Sequence, residues 1–264
     1  MNRFLENIGN KVSRALTSPE QIIPYLGKKM QEVLSYKSIA KILEAHDAVF
    51  LAKGTSKEVY RIPFSFHNGE QRDYVVAFIH LPVSCRKKPE TCIQKMRNTR
   101  KWYEDTFGKS FVNHEKLLSL QKHRGIIAYV QPFLEVEEKK KDLFYDIPQN
   151  IQSIKEEMKT NNFFREQMQK LAGIIITQYL HTGMLPDLFN SQTEALEHNP
   201  ANLYLTKDNK LVFLDTHTVF GDTRLYQVHH DEQMMIRKIT RAERFQYVDE
   251  LLSSLENIRD FGEK

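Results

Sequence analysis

Apolar positions in the first 47 residues recur at helical spacing. Phe4, Leu5, Ile8, Val12 and Leu16 share one face, with Asn2, Glu6, Lys11 and Arg14 on the other. Ser18-Pro19-Glu20 then reads as a cap with proline at the first helical position, starting a second helix through Ile22, Tyr25, Leu26 and Met30, and a third apolar set follows at Ile39, Ile42 and Leu43. At Val49 the period changes to that of strands. Residues 48–52, 58–63 and 74–81 are rich in β-branched and aromatic side chains, with His67-Asn68-Gly69 as a turn between the second and third. Helical spacing returns over residues 89–107 and stops at Gly108. Two further strands are expected over 111–120 and 126–134, which gives a five-stranded sheet with a single helix.

Beyond a solvated charged run at 135–142, the pattern predicts two helices between Ile151 and Met184, the second strongly apolar. A small hairpin is expected next: an apolar strand (Leu203, Tyr204, Leu205), a polar turn (Lys207, Asp208, Asn209) and a second strand from Leu211 to Leu214. A loop over 219–226 and two helices, around 230–239 and 241–255, complete the chain.

With 264 residues there is room for one two-lobed domain or two small ones. A hydrophobic content of 41% beside 27% charged residues excludes wholesale disorder. The net charge of +4 is mild and intermixed, and gives no nucleic-acid surface. No apolar run approaches the roughly 20 residues of a transmembrane helix, and the start lacks a signal-peptide core, so a cytoplasmic protein is expected. Cys85 and Cys92 fit no zinc spacing, which makes a reducing cytosol the simplest setting and leaves a single disulfide open. His229 and His230 lie in no ligand pattern. The leading helix carries Arg3, Lys11 and Arg14, but Glu6 and the helices that follow favour a packing extension, a surface for a protein partner, over a membrane element.

The chemistry concentrates in the hairpin. Asn202 opens its first strand and Asp215 closes its second, so antiparallel pairing brings an amide oxygen and a carboxylate to one edge, where they can hold Mg2+. Pro200-Ala201-Asn202, a strand, a turn and a strand ending in Asp215, about 13 positions after Asn202, resemble the metal-binding hairpin of the protein-kinase-like fold. Other segments fall in the order of that fold. LAKGTSKEV resembles a glycine-rich loop in which Ala52, Gly54 and Lys57 take the three glycine places and Val59 the valine place. Val76-Ala77-Phe78-Ile79 resembles the V-A-I-K strand, with Ala77 under the alanine and Ile79 where the lysine belongs. Gln131-Pro132-Phe133-Leu134 stands in the hinge place, and Pro186-Asp187-Leu188 resembles the core of the catalytic loop.

The resemblance implies an α+β, two-lobed protein-kinase-like fold: N-terminal helices over 1–47, a small lobe over 48–135 and a mainly helical lobe over 136–264. It implies an ATP- and Mg2+-dependent transfer of phosphate to a hydroxyl of a protein or small molecule. Gly54, Thr55, Ser56, Lys57, Ala77, Gln131 and Phe133 would contact nucleotide, Asn202 and Asp215 the metal, and Asp187 the acceptor, with Glu197 as the alternative base five places before Asn202. Asp215-Thr216-His217 replaces D-F-G, no A-P-E follows, and the cation that replaces the strand lysine stays open among Lys53, Lys57 and Arg61. A catalytically inactive pseudokinase, serving as a nucleotide-binding or interaction module, is the competing expectation.

Overall fold

The structure, a computed structural model, describes residues 48–53, 57–65, 71–81, 88–113, 116–119, 126–137, 140, 142–188, 202–226 and 233–262. The N-terminal helices expected over 1–47, the nucleotide candidates Gly54, Thr55 and Ser56, and Glu197 lie outside these residues. The chain is α+β and divides into two compact units. The first takes in the described residues up to Ile93 and from His114 to Phe133; the second takes in Gln94–Asn113 and those from Leu134 onward.

In the first unit, β1 (Val49–Lys53), β2 (Lys57–Ser65), β3 (Gln71–His80), β4 (Lys116–Ser119) and β5 (Ile126–Pro132) form one five-stranded antiparallel sheet in the order β1-β2-β3-β5-β4. Tyr74 to Phe78 in the middle of β3 are all buried, which explains why this strand reads as a continuous apolar run and not as an alternation. Nine rungs, from Lys57↔Ile79 to Ser65↔Gln71, join β2 to β3. Because side chains alternate along a strand, the rungs of Lys57, Val59 and Arg61 share one face with Val75, Ala77 and Ile79 and with Ile127, Tyr129 and Gln131 of β5. On the opposite face the rings of Phe50, Tyr60 and Phe78 meet edge to face, with centroids 5.5 and 6.0 Å apart. Strand β1 lies at the sheet edge, where a bulge between Phe50 and Ala52 interrupts its register.

Helix α1 (Pro89–Phe107) begins in the first unit and continues into the second. Cys92, buried near its start, is disulfide-bonded. Such a bond persists in oxidising compartments and is rare in reducing ones.

The second unit is organised on α3 (Asn162–Thr182). Its buried residues Phe164, Met168, Leu171, Ala172, Ile175, Ile176 and Tyr179 recur every three or four positions and face the core that α2 (Ile151–Thr160) and α4 (Ala242–Arg259) complete. The Asn161 side chain caps α3 by accepting the Phe164 N–H at 3.0 Å. Gly183 ends the helix at φ 68, with its N–H donated to Tyr179 O at 2.8 Å. The end of α1 adds Tyr103 and Phe107, whose rings pack on Phe213 with centroids 5.2 and 5.1 Å away. Burying each of these rings is worth roughly 2–3 kcal/mol. No helix among the described residues is long and apolar enough to cross a membrane.

Three segments differ from the pattern's expectation. Phe111, expected to open a strand, instead closes a single 3-10 turn (Lys109–Phe111) after Gly108, whose φ of 87 lets the chain turn away from α1 and carry Phe111 into the second unit's core. Residues 219–222, expected in a loop, form the fully buried β9 (Val219–Asp222). Residues 236–239, expected in a helix, form β10 (Ile236–Ile239), which runs parallel to β9, while β6 (Met184–Pro186) pairs with β9 antiparallel on its other side. Strands of three or four residues take their identity from the partner that completes their ladder, and that partner is remote in sequence.

Candidate functional site

The hairpin is formed by β7 (Leu203–Leu205) and β8 (Leu211–Phe213), in antiparallel register from Leu203↔Phe213 to Leu205↔Leu211. Leu214 N–H donates to Asn202 O at 2.9 Å and extends the ladder one rung, so Asn202 and the residue after Leu214, Asp215, stand at the same edge. The far end is closed by Asn209 in the left-handed region, φ 62, a conformation asparagine tolerates. Helix α3 braces that turn: Gln167 Nε2 donates to Asn209 O at 2.8 Å, and Gln167 Oε1 accepts from Leu211 N–H at 3.0 Å. The edge that bears Asn202 and Asp215 is therefore carried on a fixed support.

Asp215 bends the chain back on itself. Its Oδ1 accepts from the backbone N–H of His217 at 3.1 Å and lies 3.0 Å from His217 Nδ1. Between them Thr216 is buried, and its hydroxyl meets no hydrogen-bond partner among the described residues.

Asp187 follows β6 directly, and its backbone N–H donates to the Tyr103 hydroxyl at 2.7 Å. The same hydroxyl donates to Thr218 O at 2.9 Å. Since Pro186 pairs with Val219, Asp187 and Thr218 flank the same end of the β6–β9 ladder, and Tyr103 bridges them. Burial pushes the Tyr103 pKa well up, and the negative charges of Asp187 and Asp215 push the same way. Tyr103 thus acts as a neutral hydrogen-bonding strut at any ordinary pH. It was legible in the sequence only as an aromatic position of a helix; nothing local ties it to Asp187, 84 residues away.

In the first unit, Ala77 stands opposite Val59 and Ile79 opposite Lys57, while Gln131 pairs with Val75 on the same face. The Gln131 side-chain oxygen is buried and meets no donor among the described residues. Phe133 is differently engaged. Its N–H donates to Asp73 O at 2.9 Å, and its ring lies 4.5 Å from the Arg61 guanidinium, which also ion-pairs with Asp73.

The second unit holds a further polar cluster that the sequence pattern does not mark. Asp222, fully buried at the end of β9, accepts from Tyr179 Oη at 2.7 Å and from Arg224 Nη2 at 2.7 Å. Arg224 continues to Asp249 on α4 at 2.9 Å and stacks on the Phe245 ring at 4.6 Å. Burial is the largest influence on Asp222 and raises its pKa, but the hydrogen bonds from Arg224 and Tyr179 outweigh it and the net shift is downward. Burial, aided by Asp222, pushes Tyr179 up to about 12. This cluster fastens α3, β9 and α4 to one another. Glu104 of α1 is likewise taken up within its own helix, by Arg100 at 2.9 Å.

Among the described residues no group of three or more His, Cys, Asp or Glu side chains could hold a metal ion by itself. The chain matches no known protein family and no curated protein.

Proposed function

We propose that the chain is a small, atypical kinase-like phosphotransferase that uses ATP and Mg2+ to phosphorylate a hydroxyl of a protein or small molecule. The observation that carries this reading is the open end of the hairpin, where the register brings Asn202 and Asp215 to one edge while Gln167 braces the turn at the far end. An amide oxygen and a carboxylate are hard donors, and Mg2+ characteristically takes one or two protein oxygens with water and substrate phosphates completing its shell. Asp215 Oδ1 also accepts from the His217 backbone N–H, which holds the carboxylate in place.

For the nucleotide, the half-buried Val59 would give a base an apolar contact, with the buried Ala77 as the floor behind it, and the buried Gln131 oxygen would be an acceptor for an exocyclic amino group. Asp187 is held at its backbone by Tyr103 and would take the proton of the acceptor hydroxyl as its oxygen attacks the terminal phosphorus. The bond to the bridging oxygen breaks and ADP leaves. Bound Mg2+ would neutralise charge on the phosphate oxygens.

The pseudokinase reading draws on specific features: Ile79 in the lysine place, Glu104 committed to Arg100, and the Phe133 N–H committed to Asp73. Under it, protein contacts through residues 1–47 would be the function. Cytoplasmic location belongs to the same set of expectations, with the Cys92 disulfide weighing against it.

Thermal shift with ATP and Mg2+, followed by transfer of labelled terminal phosphate to protein and small-molecule acceptors, tests these readings. Stabilisation by ATP that needs Mg2+, with transfer abolished in Asp215→Ala and Asp187→Ala, supports the enzyme. Binding without transfer to any acceptor class leaves the pseudokinase, and an absence of binding removes both.

A further inference from the structure

We infer that Lys57 is the cation that meets the nucleotide's phosphates, standing in from strand β2 for the lysine that Ile79 displaces from β3. The inference rests on the kinase-like reading and specifies how its phosphate site is built. In that fold the strand lysine extends from the face of the sheet that covers the nucleotide. Here the position holds an isoleucine, and an apolar side chain offers phosphate nothing.

The register supplies a substitute. Lys57 and Ile79 are direct cross-strand partners, the first rung of the β2–β3 ladder. Directly opposed residues in an antiparallel pair have Cβ atoms roughly 5 Å apart and project to the same side. A lysine at either position therefore starts from nearly the same place on the same face, and its four-carbon stem covers the small offset. The Lys57 ammonium also lies 5.3 Å from the centre of the Tyr129 ring on β5, so the side chain runs over the sheet on the face of Ala77 and Gln131.

The two competing cations fit less well. Lys53 stands in the rung of Glu58 and Phe78, one step out of phase with Lys57 and Ile79. Arg61 shares the phase, but its guanidinium is bound to Asp73 and stacked on Phe133, two rungs beyond Val59 and away from Ile79. Lys57 also takes the third glycine place of the loop. The side chain that spoils the glycine pattern and the missing strand lysine are thus one rearrangement, a cation moved across a ladder.

The full chain tests this through the affinities of Mg-ATP and of adenosine, measured by titration calorimetry on the wild type, Lys57→Met, Ile79→Lys and the double variant Lys57→Met/Ile79→Lys. Loss of a charge-assisted contact predicts that Lys57→Met binds ATP about 10-fold or more weakly while adenosine affinity is unchanged. The double variant, with its lysine returned to β3, should recover most of that loss. If the wild type binds ATP and Lys57→Met binds it equally well, or loses adenosine and ATP alike, the assignment of Lys57 is wrong and the kinase-like reading stands. If the wild type binds neither ligand, both fall. Should Lys57→Met fail to fold, Lys57→Gln replaces it, and Ile79→Lys alone remains informative: with two ammonium groups on one rung it should bind ATP more tightly than the wild type, and unchanged affinity counts against the assignment.

Discussion

Tyr103 Oη accepts the backbone N–H of Asp187 at 2.7 Å while donating to Thr218 O at 2.9 Å, so one buried hydroxyl fixes both the candidate base and the approach to β9. Tyr103→Phe leaves a part-buried N–H and a part-buried carbonyl without this partner, which should cost roughly 1–2 kcal/mol in urea unfolding. If Asp187 is the base, kcat for phosphate transfer should also fall while the affinity for Mg-ATP stays within about twofold, because positioning and not binding is lost. Equal unfolding midpoints for Tyr103→Phe and the wild type would deny the bridge its structural role.

Arg224→Met tests the buried cluster. Asp222 has a folded pKa below its ordinary value, so its contribution to stability is full above about pH 4 and is lost as pH falls through the depressed value. Removing the Arg224 guanidinium takes away the strongest influence that holds the carboxyl down, so that burial is opposed only by the Tyr179 hydroxyl and a backbone N–H. The variant should therefore be less stable than the wild type by roughly 3 kcal/mol at neutral pH, and the gap should narrow on acidification as Asp222 becomes neutral. Guanidinium unfolding at pH 7 and at pH 4 measures both; a deficit that widens toward pH 4 contradicts the assignment.

Gly183→Ala should be severe. The glycine sits at φ 68, and an added Cβ would lie 2.6 Å from Tyr226 N and 2.9 Å from Leu225 C, both backbone atoms. Left-handed strain together with the clash predicts a loss of roughly 2–4 kcal/mol, read as a lowered melting temperature. Gly173 in the middle of α3, whose Cβ would meet nothing within 4 Å, is the control: its alanine variant should be neutral or slightly stabilised.

Thr216→Val removes a buried hydroxyl that has no partner among the described residues. The isosteric apolar side chain should leave stability unchanged or raise it by about 1 kcal/mol. A marked loss of Mg-ATP affinity at unchanged melting temperature would instead assign this hydroxyl to the ligand.

The long elements were legible because their patterns are local. Pro89–Phe107 and the two helices between Ile151 and Thr182 carry full amphipathic periods, and the strands of the five-stranded sheet are long enough to alternate or to run apolar between turns. The hairpin was equally plain, since its turn residues and flanking strands lie within a dozen positions. What escaped was everything fixed by a distant partner. Ile236–Ile239 is a strand because Val219–Asp222 lies beside it, and Tyr103 matters because Asp187 and Thr218 meet its hydroxyl. The register of Lys53, Lys57 and Arg61 likewise cannot be read from the spacing of three nearby basic residues.

The chain passes from one compact unit to the other three times, after Ile93, after Asn113 and after Phe133. A gene fragment starting at Leu134 would therefore encode the hairpin, Asp187 and the Asp222 cluster while omitting Tyr103, Phe107 and Phe111, and its product would have a hole where that aromatic wedge belongs. The missing piece is the stretch Gln94–Asn113, which a split-protein experiment would have to supply as a separate peptide. Whatever the second unit does, it cannot be inherited, swapped or cloned as a contiguous cassette.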